Sequence, residues 1–348
     1  MISFFRKKTP FTLQVNQGPS VELIKKETIL DSALKAGINI PNSCRVGGCA
    51  SCKCKLVKGK VKELTESSYV LSESELSQGY ILACQSIPKG DLELEVEINE
   101  LASNIQEKEY SGVITGQNKL TENITELEIS LDHEIEYVPG QYAELSIPEL
   151  SDVARSYSFA SPVNGRKINF YIKEVAGGEI SPLVNNKNLL DYSVKVNGPI
   201  GDFFLRDSDA PIICIAGGSG LAPVKALLEQ AVINQVNRDV NFIFAARTES
   251  DLYCIDEIKI VEENWPGEFN FIPVLSDEDP DSSWSGKRGY ISDCLSEVLT
   301  GNEQAYLCGP PPMIDSAIEI LKKHSILSSN IHFDKFISKA DLNSLQRK

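Results

Sequence analysis

The chain has 348 residues, 42% of them hydrophobic, a globular composition too long for one ordinary core. A net charge of −15 argues against nucleic acid as a general partner, and no apolar run approaches the length of a membrane span. The opening Met1-Ile2-Ser3-Phe4-Phe5-Arg6-Lys7-Lys8 offers no signal-peptide core, which with nine cysteines points to a reducing, cytoplasmic setting. The charge is stepped: residues 1–100 carry 13 Lys+Arg against 12 Asp+Glu, residues 101–206 carry 9 against 15, and residues 207–348 carry 12 against 22. Separate modules are expected, with the acidity in the last two.

Residues 11–15 and 20–24 alternate as a hairpin across Asn16-Gln17-Gly18-Pro19, residues 28–36 read as a helix ending at Gly37, and residues 92–98 alternate as a strand closing the sheet. Between them Cys44, Cys49 and Cys52 follow C-x4-C-x2-C, with Cys84 a distant fourth thiol. That is the plant-type 2Fe–2S spacing. A loop around a small anionic cluster must turn its N–H groups inward, which Gly47 and Gly48 suit, and Ala50 and Ser51 keep its wall thin. A structural zinc site is the alternative, but it wants two tight pairs and Cys84 has no neighbouring cysteine. Cys54, Cys214, Cys254 and Cys294 read as core residues. Residues 10–99 resemble a plant-type ferredoxin domain.

From Tyr110 short strands (111–114, 124–131, 143–147, 168–175 and 192–196) are punctuated by Gly, Pro and Asn, as in a closed barrel. Pro139-Gly140-Gln141-Tyr142, Arg155-Ser156-Tyr157-Ser158 and Gly177-Gly178-Glu179-Ile180-Ser181 follow in order. Together they resemble the FAD-binding barrel of the ferredoxin–NADP reductase superfamily. The resemblance implies that Arg155 neutralises the FAD pyrophosphate, Tyr157 packs beside the flavin and Ser158 hydrogen-bonds near N5. It further implies that Ser156, Ile172, Lys173, Gly177, Gly178 and Ser181 complete the FAD-binding set.

The apolar run 212–216 empties into Gly217-Gly218-Ser219-Gly220 and a helix over 223–235, a strand–turn–helix phosphate cradle. Strict G-x-G-x-x-G is absent, since Pro223 holds the third glycine position. Strands at 240–246, 269–274 and 305–307 alternate with helices at 256–263, 291–299 and 314–324. The last strand reaches Cys308-Gly309-Pro310-Pro311-Pro312-Met313. After the second strand Arg247 stands alone before Glu249 and Asp251, which disfavours a ribose 2′-phosphate and favours NADH. The C-G-P-P-x-M element again resembles the reductase superfamily. That likeness implies that Gly217, Gly218, Gly220, Arg247, Cys308, Gly309 and Pro310 bind the nucleotide, with Cys308 a shape element and not a nucleophile. Phe336, ending 331–336, is then the ring shielding the flavin, and residues 343–348 read as a polar tail.

Over residues 10–336 the chain resembles the reductase components of bacterial oxygenases, nearest to toluene, xylene and phenol monooxygenase reductases. The implied fold is multidomain α+β and α/β: a β-grasp 2Fe–2S ferredoxin (1–101), an antiparallel β-barrel FAD domain (102–207) and a Rossmann-like parallel-sheet NAD domain (208–348). The implied activity is an NADH:acceptor oxidoreductase. FAD splits the hydride's electron pair for a one-electron cluster, and an oxygenase hydroxylase or Rieske-type ferredoxin accepts the electrons. Ser158, Cys308 and Phe336 border the transfer. A fatty-acid desaturase, a Rieske dioxygenase or a deoxysugar dehydratase are alternative destinations, and a monomer is the default expectation. Lys53, Lys55, Lys58, Lys60 and Lys62 follow the cluster loop, so docking there is not expected to rest on a large negative field.

Overall fold

The computed structural model describes residues 10–98 and 105–337; the stretches 1–8 and 343–348 lie outside them. The chain divides into two compact units, Met1–Asn104 and Ile105–Lys348. Among the described residues no helix is long and apolar enough to cross a membrane.

The first unit runs β1 (Phe11–Val15), β2 (Val21–Leu23), α1 (Ile29–Lys35), β3 (Lys53–Lys58), β4 (Val61–Glu63), α2 (Glu73–Ser77), β5 (Tyr80–Leu82), β6 (Ser86–Pro88) and β7 (Leu92–Glu95). Thr28 caps α1 by accepting from the Asp31 N–H, so the helix begins where the hydroxyl satisfies an orphan donor. The five-stranded sheet has the order β2-β1-β7-β3-β5. β7 is therefore central and does not close the sheet: Leu92 and Leu94 are buried, and the strand pairs parallel to β1 and antiparallel to β3. Helix α1 covers the sheet through Ile29, Leu30 and Ala33.

The second unit opens with β8 (Lys108–Lys119), β9 (Ile124–Leu131), β10 (Tyr142–Ile147), β11 (Ser151–Ser158), β12 (Lys167–Lys173), α3 (Ser181–Asn186) and β13 (Ser193–Ile200). These strands pair antiparallel in the order β11-β10-β13-β8-β9-β12. A bridge between Phe159 and Phe170 joins the two outer strands, which closes the barrel. β11 is absent from the sequence expectation: Ser151–Ser158 lacks apolar alternation, and its pairing with β10 holds it extended.

The rest is β14 (Ile212–Gly217), α4 (Leu221–Ile233), β15 (Val240–Ala246), α5 (Ile255–Glu263), β16 (Phe269–Leu275), β17 (Lys287–Arg288), α6 (Ile291–Cys294), β18 (Gln304–Gly309), α7 (Pro311–Lys323) and β19 (Ile331–Lys335). All six strands are parallel, ordered β17-β16-β15-β14-β18-β19. β14 and β18 are buried along their whole length, as strands covered on both faces must be. The helix expected over 291–299 ends at Cys294 and continues only as a tight turn, Leu295–Glu297. One core joins the barrel residues Ile124, Ala160, Tyr171 and Phe203 to Ala216, Leu221, Leu228, Tyr253 and Cys308. Barrel and parallel sheet thus share an apolar seam.

Candidate functional site

The cysteine loop lies between α1 and β3, with the fourth thiol in the turn Ala83–Gln85 after β5. Arg45, Gly47 and Ala50 all take positive φ, at 53°, 82° and 60°. The tight winding thus falls partly on non-glycine residues, Ala50 among them. At Gly47 glycine is needed twice over, because a Cβ there would also lie 2.7 Å from Gln85 Cγ. The winding aims N–H groups at sulfur: Gly48 N donates to Cys44 Sγ (3.2 Å), Cys44 N to Cys49 Sγ (3.4 Å) and Cys84 N to Cys52 Sγ (3.5 Å).

The thiols form two pairs, Cys44 with Cys49 and Cys52 with Cys84, the latter sulfurs 3.1 Å apart. The Cys49 thiol, with help from the Val46 and Gly48 N–H groups, holds Cys44 at about 7 against the opposing effect of burial. Cys84 is lowered likewise, chiefly by Cys52, while Cys49 and Cys52 are pushed up. Among the described residues no three His, Cys, Asp or Glu side chains converge as one metal ion requires. Two thiol pairs with backbone donors on their sulfurs suit a two-iron cluster better than a single zinc. Cys54 is buried on β3, Cys214 and Cys294 are core, and Cys254 packs against the core from its edge. Cys254 is half-buried at the start of α5 with φ 55°, its sulfur 3.3 Å from the Tyr171 hydroxyl.

The flavin candidates gather on the barrel. On β11 Arg155 and Tyr157 share one strand face and Ser156 and Ser158 the other. Arg155, 34% exposed at its side chain, meets Glu179 at 3.5 Å, which brings the R-x-Y-S strand to the G-G-x-x-S turn. An exposed pair of this kind is worth little, so a pyrophosphate can displace the carboxylate. Gly177 takes φ 72° with nothing within 4 Å of a Cβ, leaving open space above the turn. The Ser181 hydroxyl accepts from Val175 N (3.0 Å), so it also braces that turn. Tyr157 lies against Phe170, and burial pushes its hydroxyl up to about 12. Ser158 is buried at the strand end, while the Ile172 side chain is enclosed in the barrel core and its carbonyl is taken by Asn185.

The nucleotide candidates lie at the carboxyl ends of the parallel strands, the expected place for a ligand in such a sheet. A Cβ on Gly220 would stand 2.3 Å from the Cys308 carbonyl oxygen, and one on Gly217 would stand 2.5 Å from Met313 Sδ. The glycine turn and the Cys308–Pro310 segment therefore touch backbone to backbone. Phe336 N donates to Gly309 O at 3.0 Å, and its half-buried ring packs against the core that includes Cys308. Cys308 is 0% exposed, and burial keeps its thiol protonated, which suits a shape element and no nucleophile.

Two further residues frame this turn, and a third is buried in the helix that follows it. Lys173 Nζ comes within 3.3 Å of a Cβ placed on Gly218, so this barrel cation stands over the turn; burial and the Arg247 charge lower its pKa. Tyr253 donates its hydroxyl to Gly218 O (3.0 Å), and Lys225 is buried in α4. Tyr253 and Lys225 escaped the sequence reading. The only signal for Lys225 was a lone cation in the apolar stretch Leu221-Ala222-Pro223-Val224-Lys225-Ala226-Leu227-Leu228.

Beyond β15 and β16 lies a cleft of ≈ 610 Å³ lined by Thr248, Glu249, Ser250, Asp277, Glu278 and Asp279. Glu278 accepts from Glu249 N at 2.7 Å, and that bond lowers its carboxyl. Asp251 accepts from Thr248 N and Oγ1, both at 3.1 Å. The cleft wall after Arg247 is thus acidic and built by two loops.

Residues 14–89 match the 2Fe-2S iron-sulfur cluster binding domain family and residues 214–319 the oxidoreductase NAD-binding domain family. Over 325 residues the chain is 41% identical to the xylene/toluene monooxygenase electron transfer component of Pseudomonas putida, covering 93% of this chain and 92% of that protein. It is 31% identical over 331 residues to the phenol 2-monooxygenase reductase component of Pseudomonas sp. strain CF600, covering 93% of each. Among solved structures, an Amycolatopsis cytochrome P450 reductase superposes with a TM-score of 0.76 at 28% identity, over 94% of this chain and 98% of that one. The ferredoxin reductase of a carbazole 1,9a-dioxygenase superposes with a TM-score of 0.70 at 26% identity, over 94% and 99%.

Proposed function

The chain belongs to the family of electron-transfer reductase components of bacterial oxygenases, and from that premise we propose that it carries electrons from NADH to an oxygenase component of the aromatic or hydrocarbon monooxygenase type. It is an oxidoreductase whose cofactors are a 2Fe–2S cluster, FAD and NADH. When bound, the flavin accepts a hydride's two electrons together and releases them singly to the one-electron cluster.

The residues act by binding, orienting and excluding. Cys44, Cys49, Cys52 and Cys84 would hold the cluster, and the N–H groups of Gly48, Cys44 and Cys84 would offset the sulfur charge. Arg155 binds the FAD pyrophosphate, Tyr157 packs beside the ring and Ser158 presents its hydroxyl near it. Gly217, Gly218 and Gly220 admit the dinucleotide phosphates close to the start of α4, with Lys173 and Arg247 as cations above. Cys308, Gly309 and Pro310 would shape the nicotinamide end, and the Phe336 ring would shield the flavin there. Glu249, Asp251 and Glu278 repel a 2′-phosphate, which favours NADH. The domains run 1–101, 102–207 and 208–348, and the protein works as a monomer in the cytoplasm.

The observation that carries this reading is the pair of thiol pairs with backbone donors on their sulfurs, in a chain that also holds the glycine turn packed on Cys308–Gly309. Its test compares two acceptors with NADH as donor. Ferricyanide takes electrons from the flavin directly, whereas an oxygenase component takes them through the cluster. Cys84→Ala is expected to keep the first reaction and lose the second; loss of neither would overturn the reading.

A further inference from the structure

Lysine is almost never buried without a partner, yet Lys225 is only 6% exposed in a helix whose neighbouring residues are apolar and buried. Its ammonium is bound on two sides. Glu229, one turn along α4, takes it at 2.6 Å, and the Ala160 carbonyl oxygen of the barrel lies 3.5 Å away. Ala160 is itself fixed on the barrel side, because its N–H donates to Asn169 O at 3.0 Å. The next two carbonyls, of Ser161 and Pro162, both accept the Tyr137 hydroxyl at 3.0 Å. The chain leaving β11 is thus held by Tyr137 from the barrel and by Lys225 from α4.

The two ends of this contact border the transfer site. Ala160 lies two residues beyond Ser158 on the flavin strand. Lys225 lies one helical turn, about 6 Å, beyond Leu221, where the glycine turn becomes helix. An apolar side chain of the same length would fill the space without the desolvation penalty of a buried ion pair. What the charge adds is direction: it ties one carbonyl of the flavin strand to one turn of the nucleotide helix.

Resting on the proposed reaction, we infer that Lys225 is a positioning residue, which with Glu229 latches the end of β11 to the start of α4 and sets the flavin strand at its distance from the nucleotide turn. Its loss misplaces bound partners without removing any group that touches them. A misplacement of roughly 1 Å slows a transfer by about 100-fold.

The test uses the holoenzyme. Lys225→Met with Glu229→Gln removes both charges and keeps the volume. The double variant is expected to retain FAD and cluster absorbance and an NADH saturation constant within about twofold of wild type. Its flavin reduction by NADH is expected to slow by about 10- to 100-fold. Amide hydrogen exchange at residues 159–161 is expected to rise in the same variant, a readout independent of turnover. Flavin reduction at the wild-type rate, or unchanged exchange at 159–161, would overturn the latch. Should the double variant not fold, Glu229→Gln alone decides, since it keeps an acceptor for the ammonium. It is expected to raise exchange at 159–161 and slow flavin reduction by at least about threefold, and wild-type values for both would overturn the inference. Wild-type protein that takes no electrons from NADH would instead sink the functional reading and leave the exchange result standing.

Discussion

Replacing Gly220 by alanine puts a methyl carbon 2.3 Å from the Cys308 carbonyl oxygen, 2.5 Å from its carbonyl carbon and 2.8 Å from Gly309 N. The backbone itself raises no objection, because Gly220 has φ −64°. All of the penalty is space, and the atoms in the way are backbone. Cys308 cannot retreat easily, since β18 is paired with β14 on one side and β19 on the other. Overpacking of this kind costs about 1–3 kcal/mol, or a fall in melting temperature of roughly 3–10 °C for a unit of this size. The displaced turn should also weaken NADH saturation while FAD content stays unchanged. Gly177→Ala makes a useful contrast, because its Cβ meets nothing within 4 Å while φ is 72°. Strain there is conformational, about 1–2 kcal/mol, and Gly177→Asn should recover part of it. Thermal unfolding and NADH titration of the three variants separate the two causes. A Gly220→Ala protein with wild-type melting and wild-type NADH saturation would refute the backbone-to-backbone packing of the two loops.

Burial, with the Arg206 charge, pushes His332 down from 6.5 to about 4, and its Nε2 has no hydrogen-bond partner among the described residues. A folded value below the unfolded one means that this contribution is complete above pH 6.5 and is lost as pH falls toward 4. His332→Phe should flatten roughly 3 kcal/mol of pH dependence within that window, measured by urea unfolding. NADH should outperform NADPH by at least about tenfold in kcat/KM, and the gap should narrow with salt as the carboxylates around the cleft are screened. Docking of the acceptor at the cluster end should depend weakly on ionic strength; a steep fall in reduction rate traced to carboxylates near the 44–52 loop would contradict this.

The structure explains that last expectation differently from the sequence. Five lysines between 53 and 62 read as a basic run, but Lys53 binds Glu75 at 2.6 Å, Lys58 binds Glu93 at 2.7 Å, and Lys55 lies 4.0 Å from Glu95. Two of these carboxylates come from β7, whose central position places Glu93 and Glu95 opposite β3. A linear reading cannot cancel charges across strands whose order it has wrong. The gathering of the four cysteines was legible because a cluster motif constrains spacing along the chain. Their division into pairs was not, since Cys84 arrives from thirty-two residues beyond Cys52. The glycine turn was legible for a related reason: close backbone approach demands glycine locally. β11 was hidden because Ser151–Ser158 owes its extension to β10 and not to its own pattern. Lys225 was hidden because its partner carbonyl, Ala160, lies sixty-five residues away.

One chain couples a two-electron donor to a one-electron cluster. Anaerobic titration of the purified holoenzyme with NADH, following flavin absorbance and the electron paramagnetic resonance of the cluster, tests that coupling. Flavin bleaching and a reduced 2Fe–2S signal are expected to arise together, complete at about 1.5 equivalents of NADH for three electrons. A bleached flavin beside a cluster that stays oxidised, or a protein with neither chromophore, would contradict it.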